Sequence, residues 1–366
     1  MRILQILYNL GPGGAERFVV DLCNELVHCG NEVYLYILRD ESTAENGFYK
    51  SELSEKIVYK SLKIQEGFRP SNIYILGKII KEIKPEVVHC HQNLVNYIFP
   101  LSLIFNRIKF VNTIHSDPPK EVSSKIEYWI RKMFYGSGKM KAVAISNETS
   151  KSFLKYYKTN NFTQIFNGRK LPLQSAQFED VEEFINNLRI DNNFIFLHVG
   201  RCVPVKNQKM LINVFNRLTQ EGWSLALLII GDGFESNMGK ELKTSASNKI
   251  IFLNPVHNIA DYFITSDAFC LSSTNEGMPI TVIEALACGC TPICTPVGGV
   301  IDAIENGVTG FLSKTISEED YYQSVIDYLK QKEGIIKDNL IQSYKNRFSI
   351  EECTNQYIKL YENNSN

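Results

Sequence analysis

An apolar run that stops at glycine and passes straight into a helical pattern occurs at two distant places in this chain. That recurrence constrains the fold more than any other feature. Residues 2–8 read RILQILY, are halted by Gly11-Pro12-Gly13-Gly14, and give way to Phe18, Val19, Leu22 and Leu26 at helical spacing. Residues 194–200 read FIFLHVG and lead through a basic loop into a helix expected at about 206–220. Further strands are expected at 32–38, 56–62, 86–91, 110–116 and 142–146 in the first series, with helices at 71–84, 94–106 and 121–135. The second series continues at 224–233, 250–253, 268–273 and 291–296, with helices to about 246 and near 258–265. Strands alternating with helices build a parallel sheet covered on both faces. The Pro-, Gln- and Ser-bearing stretch NGRKLPLQSAQFED (167–180) interrupts the rhythm and reads as a linker. With 366 residues, too many for one ordinary core, the expected fold is α/β with two Rossmann-like domains facing each other across a deep cleft. The first domain is expected over 1–170, with a helix at about 349–366 packing back on it, and the second over 171–348.

Composition removes several classes. No apolar run approaches the ~20 residues that span a bilayer, and MRILQILYNLGPGG lacks a signal-peptide layout. Nine cysteines without a C-x-x-C pair suit a reducing, cytoplasmic compartment, and Cys288, Cys290 and Cys294 lack the partners of a zinc site. No metal site and no cofactor are expected. The net charge of −1 hides an asymmetry: residues 1–170 carry 24 Lys+Arg against 16 Asp+Glu, and the remainder 15 against 24. A basic front half suits an anionic partner. No nucleic-acid motif accompanies it, so a nucleic-acid partner is disfavoured.

The chemistry-bearing residues fall just after expected strands. GPGGAER (11–17) opens the first helix; its glycines, Gly14 among them, let a backbone approach a phosphate or sugar, although the spacing is not that of a dinucleotide loop. In GRCVPVKN (200–207), Arg201 supplies a planar fork of donors and Lys206 a point charge, a pair suited to a diphosphate and equally compatible with a solvated loop. His115 ends one strand and His89 and His91 another, and chemistry alone leaves open which of the three faces a substrate. In EGMPITVIE (276–284), Pro279 favours a helix start that leaves nearby amides free for an anion, with Glu276 before the helix and Glu284 inside it. Two such carboxylates suit a polyhydroxylated ligand.

Together these motifs resemble glycosyltransferase family 4, the retaining, nucleotide-sugar-dependent enzymes of the GT-B fold. The resemblance runs from Gly11 to about Leu312: GGAER, Asn167-Gly168, G-R-x4-K-N, I-G-D-G (230–233, with Gly231), S-x3-E-G-x-P, E-x7-E and GG-x-x-D (298–302) stand in the family's order. It implies a metal-independent transfer from a UDP- or GDP-sugar donor. Arg201 and Lys206 would hold the diphosphate, Glu276 hydroxyls of the transferred sugar, and Glu284 the ribose. Amides around Met278, Pro279, Ile280 and Thr281 would complete the phosphate cradle. Gly14 would approach donor or acceptor, and His115 would match the family's histidine near the transferred sugar. Departures are Arg169-Lys170 after Asn-Gly, Asn254-Pro255 where glycine is common, and Asp302 in place of Glu.

For the acceptor, KEVSSKIEYWIRKMFYGSGKMK (120–141) interleaves six basic residues with Tyr128, Trp129, Phe134 and Tyr135. A helix there places Lys125, Trp129 and Lys132 near one face, and with Arg131 these are the expected contacts to an anionic membrane surface. The expected acceptor is a glycan or lipid-linked intermediate of surface-polysaccharide or lipopolysaccharide assembly, with the protein peripheral on the inner face of the cytoplasmic membrane. A sugar-nucleotide epimerase of similar fold would need further acid/base carboxylates. A non-enzymatic nucleotide-sugar-binding protein would bind donor without turnover.

Overall fold

The computed structural model describes residues 1–41, 44–64 and 69–363. The chain divides into two compact units, Met1–Lys170 with Phe348–Asn366, and Leu171–Arg347.

The first unit holds a seven-stranded sheet of β1 (Arg2–Leu7), β2 (Glu32–Ile37), β3 (Val58–Ser61), β4 (Val87–His91), β5 (Lys109–Ile114), β6 (Lys141–Ala144) and β7 (Phe162–Gln164), in the order 3-2-1-4-5-6-7. The second holds β8 (Phe194–Val199), β9 (Leu225–Ile230), β10 (Ile250–Leu253), β11 (Ala268–Leu271), β12 (Thr291–Cys294) and β13 (Phe311–Leu312), in the order 10-9-8-11-12-13. All pairings among these strands are parallel. Both units are therefore Rossmann-like, and in each the strand order reverses beside the first strand, between β1 and β4 and between β8 and β11. Ligands of such sheets bind beyond the carboxyl ends of the strands at that reversal. The short strands β7 and β13 carry too few residues to announce themselves in the sequence.

Central strands buried on both faces read as continuous apolar runs, and LALLII of β9 is buried throughout. In the first unit the apolar rule is broken inside the sheet. Gln5 of β1, His89 and His91 of β4 and Thr113 of β5 are all fully buried among Ile3, Leu4, Val88 and Ile114. Polar groups at that depth need partners, and theirs are described below. The helix expected at 121–135 begins later, at Lys125, because Pro118–Glu121 forms a separate 3₁₀ turn and Ser124 caps the helix by accepting from Glu127 N. The terminal helix Ile350–Glu362 starts at the Ser349 cap and packs against the helix Gly14–His28. Residues 364–366 of the stretch expected there lie outside the described residues. A Cβ on Gly168 would lie 2.5 Å from Cys353 Cβ and 2.9 Å from Ser349 O, so the start of this helix packs against the Asn-Gly pair where a side chain would clash.

Candidate functional site

At the carboxyl edge of the second sheet, four loops are locked together by backbone contacts. Cys202 N donates to Asp232 O (2.7 Å), and a Cβ on Gly231 would sit 2.0 Å from Gly200 O. Thr274 N donates to Val205 O (2.8 Å), and Ser272 Oγ donates to Lys206 O (2.9 Å). Gly299 N donates to Gly277 O (2.6 Å), and Gly298, at φ +54°, lies so close that a Cβ there would fall 1.8 Å from Glu276 O. The glycines of Ile230-Gly-Asp-Gly and of Gly298-Gly299 are thus explained by close backbone approach. The same contacts make the loops after β8, β9, β11 and β12 one surface.

On that surface Lys206 Nζ pairs with Glu276 Oε1 at 2.7 Å, and Ser273 Oγ donates to the same oxygen at 2.6 Å. Glu276 Oε2 has no hydrogen-bond partner among the described residues. Arg201 is exposed and makes no ion pair among the described residues. Pro279 caps the helix Ile280–Cys288 in an extended conformation (φ −73°, ψ 120°) without a side-chain cap. Backbone bonding begins only at Val282 N and Ile283 N, both to Pro279 O, so the amides of Ile280 and Thr281 are unspent. Pro279 itself has no N–H; it sets the start of the helix. Thr281 Oγ1 is buried without a partner, one more polar atom unsatisfied at that terminus. Met278 is buried beneath Gly299, and Glu284 is only 6% exposed, one turn inside the helix.

Two supporting residues, His198 and Gln208, were missed in the sequence, and Asn207 stood there only as the last residue of G-R-x4-K-N. His198 Nδ1 donates to Cys270 O (2.9 Å), so a neutral ring leaves Nε2 as acceptor for Gln208 Nε2 (3.4 Å). Burial pushes this imidazole down to about 4. Gln208 also donates to Arg201 O (2.8 Å), which ties the diphosphate-binding candidate to the core of β8. Asn207, left-handed at φ +50°, turns the chain from the Lys206 loop into the helix Gln208–Gln220.

In the first unit, Gly14 is exposed at the first turn of the helix Gly14–His28. Three residues on, Arg17 pairs with Glu52 and with the buried Asp21 (2.7 Å). Asp21 also receives Arg169 (2.6 Å) and Lys170 N (3.1 Å). Arg169 and Arg17, with the hydrogen bonds they make, hold this carboxyl below the usual range against its burial. The Arg-Lys that departs from the family pattern after Asn-Gly is thereby accounted for: it answers Asp21. His115 is half-buried at the end of β5, its Nε2 3.1 Å from His91 Nδ1, and burial pushes its imidazole down to about 3. His89 and His91 are fully buried and face protein.

The helix Lys125–Gly136 sorts the expected membrane contacts. Lys125 and Trp129 are exposed, Lys132 lies 5.0 Å over the Trp129 ring, and Ile126, Ile130 and Met133 are exposed beside them. Tyr128 turns inward onto Tyr156, and Phe134 and Tyr135 are buried. Arg131 must be corrected. It is 0% exposed, held by Glu127 (2.7 Å), Asn93 (3.0 Å) and Asn96 (3.1 Å), with Glu121 at 3.6 Å, so it cannot meet a surface. Residue 131 is more than a turn from 125 and lies on the opposite side of the helix from Trp129. Buried Glu121 is pushed up to about 7 even with this arginine nearby. Asn93, Asn96 and Glu127 line a cavity of about 560 Å³ together with Tyr8, Arg39, Tyr97 and the apolar Ile126 and Ile130.

Comparison with known proteins agrees with this architecture. Residues 12–171 match the family described as Glycosyltransferase Family 4, and residues 180–347 the family described as Glycosyl transferases group 1. An uncharacterized glycosyltransferase of Methanocaldococcus jannaschii is 30% identical over 308 residues, 74% of this chain and 73% of the relative. The N-acetylgalactosamine-N,N'-diacetylbacillosaminyl-diphospho-undecaprenol 4-alpha-N-acetylgalactosaminyltransferase of Campylobacter jejuni is 25% identical over 355 residues, 93% and 92% of the two chains. The crystal structure of Anabaena HepE in complex with UDP and glucose superposes with a TM-score of 0.81 at 20% identity, covering 98% of this chain and 99% of that one.

Proposed function

For a chain that belongs to the family 4 glycosyltransferases of the GT-B fold, we propose transfer of a sugar, with retention, from a nucleoside-diphosphate sugar to a lipid-linked glycan. The observation that carries it is the Lys206–Glu276–Ser273 cluster beside a helix start with unspent amides. Lys206, exposed Arg201 and the amides of Ile280 and Thr281 act on the diphosphate. They stabilise the negative charge that grows as the sugar–phosphate bond breaks, which is where preorganised donors contribute most. Glu276, with Oε2 still open, accepts from hydroxyls of the transferred sugar, and Glu284 takes the ribose. Gly231 and Met278 hold this cradle by backbone packing. Gly14 and His115 act from the first unit, His115 on the sugar. The acceptor oxygen bonds to the anomeric carbon on the face the diphosphate leaves, and its proton passes to the leaving phosphate oxygen. No metal is required by this scheme, because the cationic side chains and amides take that role.

Relatives named for diphospho-undecaprenol substrates favour a polyprenyl-diphosphate-linked acceptor. The Tyr8, Tyr97, Asn93 and Asn96 cavity in the first unit suits its sugar, since aromatic faces and amides together bind pyranose rings. The exposed Ile126, Trp129 and Met133 with Lys125 and Lys132 suit the anionic surface that carries it, on the cytoplasmic side of the membrane. The test is a panel of UDP- and GDP-sugars with a polyprenyl-diphosphate-linked saccharide and with a soluble saccharide, with chelator throughout. Transfer to the lipid-linked saccharide with an anomeric configuration matching the donor is expected. An inverted product, a strict metal requirement or epimerised donor without transfer would overturn it.

A further inference from the structure

Seven side chains of the first unit form one unbroken hydrogen-bonded line. His115 Nε2 lies 3.1 Å from His91 Nδ1, and His91 Nε2 lies 2.9 Å from Gln5 Oε1. Gln5 Nε2 donates to Tyr361 Oη at 3.3 Å, and that hydroxyl lies 2.7 Å from His89 Nδ1. His89 Nε2 is 2.8 Å from Thr113 Oγ1, which is 2.9 Å from Tyr357 Oη. All but His115 are fully buried, and the His89 and His91 rings lie 4.2 Å apart, His91 and His115 5.3 Å. Three strands and the terminal helix Ile350–Glu362 contribute to it, so it joins the last turns of the chain to the end of β5.

The line has a direction, and one residue sets it. An amide oxygen only accepts, so His91 Nε2 carries a proton toward Gln5. Burial keeps these rings neutral, so His91 Nδ1 is bare and must accept from His115 Nε2. His115, with its single proton spent on His91, shows a bare Nδ1 on its other edge. On the far side the Gln5 amide hydrogen goes to Tyr361 Oη, a hydroxyl that can accept and donate, so the direction that Gln5 sets is the one running to His115. Turning over the Gln5 amide would reverse the His91 and His115 relations and put an N–H on His115 Nδ1.

We propose that Gln5, secured by Tyr361, is a positioning residue that holds His115 as the Nε2-protonated tautomer, so that bare Nδ1 accepts the proton of a donor-sugar hydroxyl. The proposal rests on the assignment of His115 as a sugar contact. It makes the terminal helix, remote in sequence from every donor-site loop, a determinant of sugar recognition. A hydroxyl replaced by fluorine keeps an acceptor and loses its proton, so the proposed tautomer rejects the matching fluoro analogue as strongly as the deoxy sugar.

The experiment is nitrogen NMR of the full chain labelled with ¹⁵N-histidine, joined to kinetics on deoxy and deoxyfluoro donor analogues. The parent is expected to show His115 with a pyridine-type Nδ1 and a pyrrole-type Nε2. Gln5→Met and Tyr361→Phe are expected to shift both nitrogens toward an averaged position and to lower kcat by about fivefold or more. In a His115→Ala background neither is expected to lower kcat further, because each acts through that ring. A protonated Nδ1 on His115 in the parent, or a pure, unchanged tautomer in folded Tyr361→Phe, overturns the proposal. Should the spectra come out as expected while His115→Ala turns over like the parent, the sugar-contact assignment fails and the directed line stands. If Gln5→Met does not fold, the parent spectrum and Tyr361→Phe decide.

Discussion

Replacing Lys206 by Met removes a charge and little volume, and the geometry separates what it does to chemistry from what it does to stability. Lys206 Nζ sits 2.7 Å from Glu276 Oε1, with the two side chains 20% and 13% exposed. A pair so placed lies between an exposed one, worth at most about 1 kcal/mol, and a buried one, whose breaking costs about 3–5. Ser273 still donates to the orphaned carboxylate (2.6 Å), which keeps the loss near the lower end, about 1–2 kcal/mol. In a unit of this size that lowers Tm by only about 2–8 °C. The effect on the reaction is larger, because a donor aimed at growing charge typically contributes about 3–4 kcal/mol to the barrier. Turnover should therefore fall about 10²–10³-fold in a protein that is still folded. The assay is single-turnover release of the nucleoside diphosphate, read beside a thermal melt, for Lys206→Met, Lys206→Arg and Glu276→Gln. Lys206→Arg should retain part of the rate, and Glu276→Gln should keep the fold while weakening sugar selectivity. Turnover of Lys206→Met within about threefold of the parent would refute the role given to Lys206. It would leave the ion pair as a structural contact only.

Four further outcomes follow from the same geometry. Gly298→Ala should abolish transfer, because its Cβ would fall 1.8 Å from Glu276 O and displace the loop; full activity, measured beside a normal circular-dichroism spectrum, would contradict this. Arg131→Ala should destabilise the protein by about 3–5 kcal/mol in urea melts, since it leaves Glu127 and buried Glu121 without their cation, whereas Lys132→Ala should change little. Acidification from pH 7 toward 5 should lower stability. His89, His91, His115 and His198 have folded values below the ordinary 6.5, so their contribution is present above that value and is lost as pH falls, by about 1.4 kcal/mol per unit for each. Glu121, raised to about 7, runs the other way and offsets only one of them; a urea midpoint that rises on acidification would refute the assignment. Vesicles containing anionic lipid should bind the parent and release it at high salt, and Trp129→Ala with Lys125→Glu should lose that binding while donor hydrolysis persists.

What could be read from the sequence was whatever is local. Apolar runs, glycine stops and helical spacing depend on neighbours a few residues away. RILQILY and FIFLHVG therefore declared two parallel sheets, and EGMP declared a loop entering a helix, observed as Ile280–Cys288. What could not be read was decided by groups distant in the chain. Arg131 looks like one more cation in a basic stretch; only Asn93 and Asn96, brought beside it by another helix and turn, show why it is inside. Arg169 looked like a departure from a family pattern, and Asp21, on the first helix, supplies its reason. His115, His89 and His91 were equivalent strand-end histidines in the sequence. They are separated by Gln5, Tyr357 and Tyr361, which come from opposite ends of the chain and share one hydrogen-bonded line. A strand tolerates an isolated polar residue only where the fold returns a partner to it. A Gln in the middle of the otherwise apolar ILQIL (3–7) was thus the one local sign that something polar had to reach β1 from elsewhere, and the terminal helix is what reaches it.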